Sequence, residues 1–540
     1  METSPTMATP ADPFARRALI CGAILFLLTA VAGLLSDGVY HEDDLKHFLY
    51  ARWSVHDLHY VIDEWGRPGF TVPHALVALI GSATTSWHAC RLLSAGFAVA
   101  TAAFAYRIAR HYRLRHAWLA VPLVYLQPLF TRLALTTLTE TVLALWFALA
   151  TWLLLRRRPI ASAIVIALAP LTRHEAIVVL PLWAIMLWRM RAAWCVYPLM
   201  FWAIALHNGL AAFALGELPL ERFIQPSGSD AYGSGTLLTY VPRLLHASGP
   251  VVTALAIMGG RRLLHRRDGL LLLLAPLAYF AAETLLYAFG SYSSGGYARF
   301  LVPLTPWLAV LASAAAEPLF LRRRPDVQWR TITACGVMLI ALWMVCEIEW
   351  WWRPPKIPTR WVHWVIAGRI AAAAFALLLA VVLYRLARRP DPHGRSFARR
   401  FVTVALLVML SAPAGAALRP LRLLPQHRLI RDAAPSLDPP SRKDHPLVAA
   451  NYWVYYWTDR WVDQPGWWPV YDQAAPATWF VWDARFCPEP HPDISRERMA
   501  ANADWRLLWE SPPDAGADVP FLALFERVAA PRTIPASAPG

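Results

Sequence analysis

The chain has 540 residues, 57% of them hydrophobic and only 16% charged, with a net charge of +15. That apolar fraction excludes an ordinary soluble enzyme. The positive charge does not mark a nucleic-acid binder, because the arginines stand in short clusters between apolar runs, as they do in the cytoplasmic loops of membrane proteins.

Apolar runs of ~17–25 residues, the length that crosses a bilayer, recur along the first three quarters of the chain. With the arginine clusters assigned to the cytoplasm, the chain threads itself. Residues 1–17 form a cytoplasmic N-terminus ending in Arg16-Arg17, and Ala18–Leu35 is a first span that reads as an anchor. A large first outside loop covers 37–88. Arg91–Tyr106 returns to Arg107, Arg110, Arg113 and Arg115. Ala117–Leu133 exits, and Thr141–Leu155 returns to Arg156-Arg157-Arg158. A hairpin over 160–171 and 175–188 leads to Arg189 and Arg191. Ala192–Leu215 exits, and the run before Gly260 returns to Arg261, Arg262, Arg266 and Arg267. Gly269–Phe289, Leu301–Leu321, Thr331–Trp350, Val365–Leu386 and Phe401–Leu418 complete the series. This gives about thirteen spans over 18–418, with the N-terminus inside and the C-terminus outside.

From Arg419 the composition shifts toward Pro, Asp, Arg and Trp, and no further span appears. Leu447–Tyr452, Thr478–Trp482, Arg506–Trp509 and Phe521–Phe525 read as short strands between turn signals. Residues 419–540 are therefore read as a small extracytoplasmic α/β domain. The fold class is an α-helical polytopic membrane protein with this domain at its C-terminus. Cys21, Cys90, Cys195, Cys335, Cys346 and Cys487 form no C-x-x-C pair, so neither a zinc site nor a disulfide framework is indicated.

The chemistry concentrates at outside helix ends. Glu42-Asp43-Asp44 follow His41, and beyond them Leu45, Phe48, Leu49 and Trp53 share one face of a helix that would lie along the outer membrane surface. The three acids either cap this helix, whose dipole favours them, or include a general base that takes the proton of an acceptor hydroxyl. Asp63-Glu64 lie further along the same loop. Arginines stand singly at Arg91, Arg132, Arg173 and Arg299. A guanidinium fork suits a phosphate, while pairing with Glu140, Glu175 or lipid headgroups is the structural alternative. Glu140 closes Thr136-Thr137-Leu138-Thr139. Glu283 lies within an apolar span, where a carboxylate faces a cavity or a partner. The Gly-rich stretches 228–235 and 290–296 have no nucleotide-motif spacing and read as loops. The tract Tyr452–Trp457, with Trp461, Trp467, Trp468 and Tyr471, suits either carbohydrate stacking or a membrane-facing surface. No P-loop, G-x-G-x-x-G, H-E-x-x-H or G-x-S-x-G occurs, so nothing points to cytosolic ATP or a soluble nucleotide sugar.

These residues carry a resemblance. His41-Glu42-Asp43-Asp44 resembles the H-x-D-E form of the acidic motif that opens the first outside loop in the GT-C superfamily of integral-membrane glycosyltransferases. Arg91-Leu92-Leu93-Ser94-Ala95-Gly96 resembles the arginine-led helix that follows. Leu171-Thr172-Arg173-His174-Glu175 and Arg299-Phe300-Leu301-Val302-Pro303-Leu304 resemble the L-T-R-x-E and R-Y-x-x-P stretches of bacterial members of this superfamily, which includes protein O-mannosyltransferases, aminoarabinose transferases and the mannosyltransferases of the dolichol and GPI pathways. Asp44 replaces the usual Glu and Phe300 the usual Tyr.

The resemblance implies an enzyme in a bacterial cytoplasmic (inner) membrane. It would transfer a hexosyl or pentosyl group, with inversion, from a polyprenyl-phosphate sugar to a hydroxyl on a lipid, glycan or protein acceptor. Asp43 would be the base, with Asp44 and Glu42 beside it. Arg91, Arg173 and Arg299 would hold the donor phosphate, and His41, Glu140, His174 and Tyr297 would line the substrate site. Members differ in using a divalent metal, and the sequence leaves that open. The rival readings are a flippase or transporter of lipid-linked glycans, and a glycan ligase or polymerase.

Overall fold

The computed structural model describes residues 14–63, 65–216, 233–266, 269–290, 295–320, 325–352, 362–371, 374, 381, 385, 404, 407–439, 445–462, 474–487, 494–512 and 521–528. The chain divides into two compact units. One comprises Met1–Leu34, Arg67–Phe70 and Arg91–Arg419; the other comprises Leu35–Gly66, Thr71–Cys90 and Pro420–Gly540.

The first unit is a helical membrane bundle. Among the described residues, five helices are long and apolar enough to cross a bilayer, or seven if each of two bent pairs counts as one span. Parts of Val365–Leu386 and Phe401–Leu418, and the arginines at 322–324 and 388–400, lie outside the described residues. The bends have local causes. Tyr240–Ser248 and Pro250–Leu264 meet at 102° around Gly249, whose φ of +77° suits a residue without Cβ. Small residues let the helices approach closely: a Cβ on Gly259 would collide with the Leu311 carbonyl of Thr305–Ala316.

The expected hairpin near 160–188 is present, but its second arm does not begin as an α-helix. Ala169–Thr172 stops at Arg173, which is extended (φ −150°, ψ 127°), and His174–Val179 continues as a 3₁₀ turn before Leu180–Arg189. Arg299 likewise lies on a 3₁₀ segment, Ala298–Leu304, interrupted by Pro303. Non-α backbone is tolerated in a membrane bundle only where protein surrounds it, and Leu171, Thr172, Arg299 and Phe300 are all buried.

The second unit joins the first loop to the C-terminal residues. Its sheet has four strands in the order β1-β2-β4-β3: β1 Leu447–Ala449, β2 Trp479–Asp483, β3 Trp505–Glu510 and β4 Leu522–Arg527. All four fall where short apolar runs between turn signals placed strands. β1 runs parallel to β2, and β4 pairs antiparallel with both β2 and β3. The central strands have two buried faces. Trp479, Val481, Leu522 and Leu524 pack with the loop residues, whereas Phe480, Trp482, Ala523 and Phe525 pack with Ile494, Met499 and Trp505. β1 stops short of the expected Tyr452 because Asn451 turns the chain, its side chain accepting from Trp453 N at 3.1 Å to start the helix Tyr452–Thr458.

Two sequence expectations change here. Glu42–Trp53 is indeed a helix, but its apolar face does not lie on lipid. Leu45, Phe48, Leu49 and Trp53 are 0–2% exposed and pack in one cluster with Trp87, Trp453, Tyr455 and Tyr456. The aromatic tract is thus largely core rather than a carbohydrate platform or a membrane face. Trp87 sits within 6.1 Å of Phe48, 5.7 Å of Trp453 and 5.0 Å of Tyr456, ring centre to ring centre. Trp461 is exposed, while Trp467, Trp468, Tyr471 and Glu64 lie outside the described residues. Deleting the Trp87 side chain removes the hub of this cluster. Trp87→Ala should destabilise the second unit by about 3–5 kcal/mol, and amide exchange across Glu42–Trp53 should speed by about 100-fold or more; hydrogen exchange read by mass spectrometry checks it.

Candidate active site

The helix Glu42–Trp53 opens on His41, whose extended backbone leaves Nδ1 to accept from Asp43 N at 3.3 Å. Glu42, Asp43 and Asp44 occupy the first turn, where the helix dipole favours negative charge. Successive residues on a helix point about 100° apart, so the three carboxylates meet three surroundings. Asp44 is fully buried. Glu42 is bound by groups distant in sequence: His427 Nε2 at 3.1 Å, Trp453 Nε1–H at 3.2 Å and Arg485 Nη1 at 3.4 Å. Asp43 is 22% exposed, with Oδ2 at 3.3 Å from His41 Nδ1. Capping and a reacting carboxylate are therefore not exclusive readings: the cap is the His41 ring, and Asp43 is the half-exposed acid behind it.

One turn on, Lys46 Nζ lies 3.6 Å from the centre of the Trp65 ring and 5.5 Å from those of Tyr50 and Tyr452. Tyr50 donates to Asp63 Oδ2 at 3.1 Å. Burial above all pushes the Tyr50 and Tyr452 hydroxyls far up, so both are neutral donors at physiological pH. Lys46, Trp65, His427 and Arg485 escaped the sequence reading. Nothing local marks them, because their role comes from tertiary contact.

Burial also opposes the charge on Glu42, but the His427 hydrogen bond, the His427 and Arg485 charges and the Trp453 donor outweigh it and hold its carboxyl below the usual range. A carboxylate depressed in the folded state stabilises above its unfolded value of about 4.3 and loses that contribution as pH falls through the folded value. The second unit should therefore loosen below about pH 4, and Glu42→Gln should flatten that acid limb in a thermal-melt series against pH.

The bundle holds the other candidates. Arg173 Nη1 donates to Glu140 Oε1 and Nη2 to Glu175 Oε1, each at 2.9 Å. Its guanidinium carbon lies 4.0 Å from the Phe300 ring centre. Arg299 Nε is 3.6 Å from the same Glu140 oxygen. Arg67 adds positive charge near Glu175. Glu283, fully buried, meets the Tyr240 hydroxyl at 3.5 Å. Glu140 Oε2 and Glu283 Oε1 are buried without a hydrogen bond among the described residues. The structural alternative for Arg173 is thus realised: it is held between two carboxylates, with a third buried acid nearby. Arg299 joins the same group. Arg91 is buried on Ala83–His111, its Cβ facing Gly33. Arg132 donates to the Ala417 and Arg419 carbonyls. His174 is half-buried and Tyr297 is 38% exposed, its ring edge-on to Phe300.

Among the described residues, no three His, Cys, Asp or Glu side chains gather to hold a metal ion. Removing one partner of a buried charge network leaves the others uncompensated. Arg173→Met should therefore cost about 3–5 kcal/mol, seen as a large drop in the unfolding midpoint in detergent, whereas a phosphate-binding role alone would leave that midpoint in place.

No family model matches the chain, and no curated protein matches it. Solved structures do. ArnT from Cupriavidus metallidurans, bound to undecaprenyl phosphate, is 14% identical, with a TM-score of 0.58 over 95% of this chain and 98% of that one. The archaeal oligosaccharyltransferase AglB from Archaeoglobus fulgidus, in complex with an inhibitory peptide and a dolichol-phosphate, is 13% identical, with a TM-score of 0.45 over 83% of this chain and 64% of that one.

Proposed function

We propose that this chain, which has the fold of GT-C superfamily glycosyltransferases, moves a sugar from a polyprenyl-phosphate donor to an acceptor hydroxyl on the extracytoplasmic face of the membrane. The observation that carries the reading is Asp43: a partly exposed carboxylate beside His41 on the first turn of a capped helix, between the buried Asp44 and Glu42, whose two oxygens are held by His427 and Trp453. The undecaprenyl phosphate in the ArnT structure supports the donor class. In this reading the bundle makes about thirteen spans, with the N-terminus cytoplasmic and the second unit extracytoplasmic, in a bacterial inner membrane.

The chemistry then follows. Asp43 takes the acceptor O–H proton as that oxygen attacks the anomeric carbon. The bond from that carbon to the phosphate oxygen breaks on the opposite face, and its electron pair leaves with the polyprenyl phosphate. One displacement inverts the anomeric centre. The developing phosphate charge is met by arginine, for which Arg299, Arg91 and Arg173 are the candidates. Arg173 already serves Glu140 and Glu175, so its contribution to the phosphate would be shared with holding the bundle together.

The test is the lipid profile of the native host carrying wild type or Asp43→Asn. A polyprenyl-phosphate sugar, identified by mass spectrometry, should accumulate only with Asp43→Asn, and its mass names the sugar. Matching profiles would overturn the transferase reading in favour of a transporter. Accumulation with Asp44→Asn instead would move the base by one residue.

A further inference from the structure

The C-terminal residues have no role in the reaction so far, and the contacts of Glu42 supply one. We propose that Glu42, His427 and Trp453 form a brace that positions the Asp43 carboxylate, so that the C-terminal segment belongs to the active centre. This rests on Asp43 being the base.

The brace can be followed bond by bond within the second unit. Asp483, at the end of β2, accepts from Asn451 Nδ2 at 2.9 Å and from the Arg485 and Phe486 amides at 2.8 and 2.9 Å. The first bond orients Asn451, whose Oδ1 caps the helix that presents Trp453. The second sets the turn that presents Arg485. Tyr455 of the same helix accepts from Ala449 N of β1 at 2.7 Å, fixing helix to sheet. Trp453 is fully buried, so its indole direction is set by packing. His427, on Pro425–Leu437, stacks on that indole with ring centres 4.5 Å apart and planes 28° apart. Both rings then aim a nitrogen at Glu42: His427 Nε2 to Oε1 and Trp453 Nε1 to Oε2. Each oxygen of one carboxylate is thus held by a different buried ring.

Glu42 is the first residue of the helix and Asp43 the second. Fixing both Glu42 oxygens fixes the rotation and translation of that first turn, and with it the Asp43 Cα–Cβ direction. A displacement of about 1 Å at a reacting group costs on the order of 100-fold in rate, so a brace of this rigidity is of consequence to turnover. A mere cap would not require it, because His41 already performs that task. Arg485 is the exposed member of the set, with 46% of its side chain open to solvent, and an exposed ion pair contributes little.

The experiment uses full-length purified variants. They are added to membranes of the host strain lacking this gene, which supply the acceptor. The donor is the polyprenyl-phosphate sugar extracted from the Asp43→Asn strain. Initial rates of donor loss are measured against donor concentration, and unfolding midpoints are measured on the same preparations. Glu42→Gln, His427→Gln and Trp453→Phe should lower kcat by about 10–100-fold, with the donor KM within about 3-fold of wild type. Should His427→Gln or Trp453→Phe fail to fold, the near-isosteric Glu42→Gln decides. Wild-type turnover in folded Glu42→Gln, with Asp43→Asn inactive, would overturn the brace and leave the transferase reading standing. A raised KM at unchanged kcat would also overturn it, placing these residues on substrate instead. Activity in Asp43→Asn would overturn the brace, because it removes Asp43 as the base, and would leave the transferase reading standing.

Discussion

A charge removed from water needs a partner made of protein, and much of this molecule's architecture follows from that need. In the bundle, Arg173 could not sit on a continuous apolar helix without an unmet cation in a low-dielectric interior. The chain breaks there instead. Ala169–Thr172 ends, Arg173 is extended, and a 3₁₀ turn carries Glu175 into reach while Thr139–Leu155 brings Glu140 from another part of the chain. The backbone groups freed by the break are tolerable because the residues around them are buried in protein. Arg299 repeats the solution on its own 3₁₀ segment and shares the Glu140 carboxylate. Two irregular segments are thus held by one ionic cluster, and the cluster has no place without the irregularity.

The second unit meets the same constraint with aromatic donors in place of arginines. Glu42 is ionised at the edge of an apolar cluster of tryptophans and tyrosines, and its oxygens go to an indole N–H and an imidazole. Such groups deliver a hydrogen bond while their ring bodies fill the core. The same side chains therefore pack the unit and hold the acid. This explains why so many aromatic residues gather where the sequence suggested a sugar-binding surface: Trp453 is fully buried, with one polar atom turned to the carboxylate.

Whatever is periodic was legible in the sequence. Short apolar runs between turn signals located all four strands, because β2 and β4 bury both faces and so read as continuous apolar runs. The helix after the acidic triplet was legible from Leu45, Phe48, Leu49 and Trp53. What covers that face was not: lipid and a tryptophan cluster are equally apolar, and periodicity cannot tell them apart. The L-T-R-x-E tract announced Arg173 and Glu175, and pairing with Glu140 stood as the alternative to phosphate; the choice between them rests on a contact 33 residues away that no local pattern records. His427 and Arg485 carried no signal at all, because they lie 385 and 443 residues from Glu42 and no local pattern records a partner at that distance. The bend at Gly249 also hid a span boundary, since Tyr240–Ser248 and Pro250–Leu264 pass together as one apolar run but differ in direction.

The acidic triplet itself is best understood as one turn of helix used three ways. Helical rotation sends neighbouring side chains in different directions, so adjacency in sequence gives separation in environment. Asp44 is taken inward, Glu42 is held by His427 and Trp453, and Asp43 stands partly exposed beside the His41 ring. A single carboxylate on a loop would have neither a fixed direction nor a defined neighbour. With Asp44 buried and both Glu42 oxygens held, the turn that carries Asp43 is fixed on either side of it. With Asp44 turned into the protein, the direction of Asp43 is left to Glu42 and the cap.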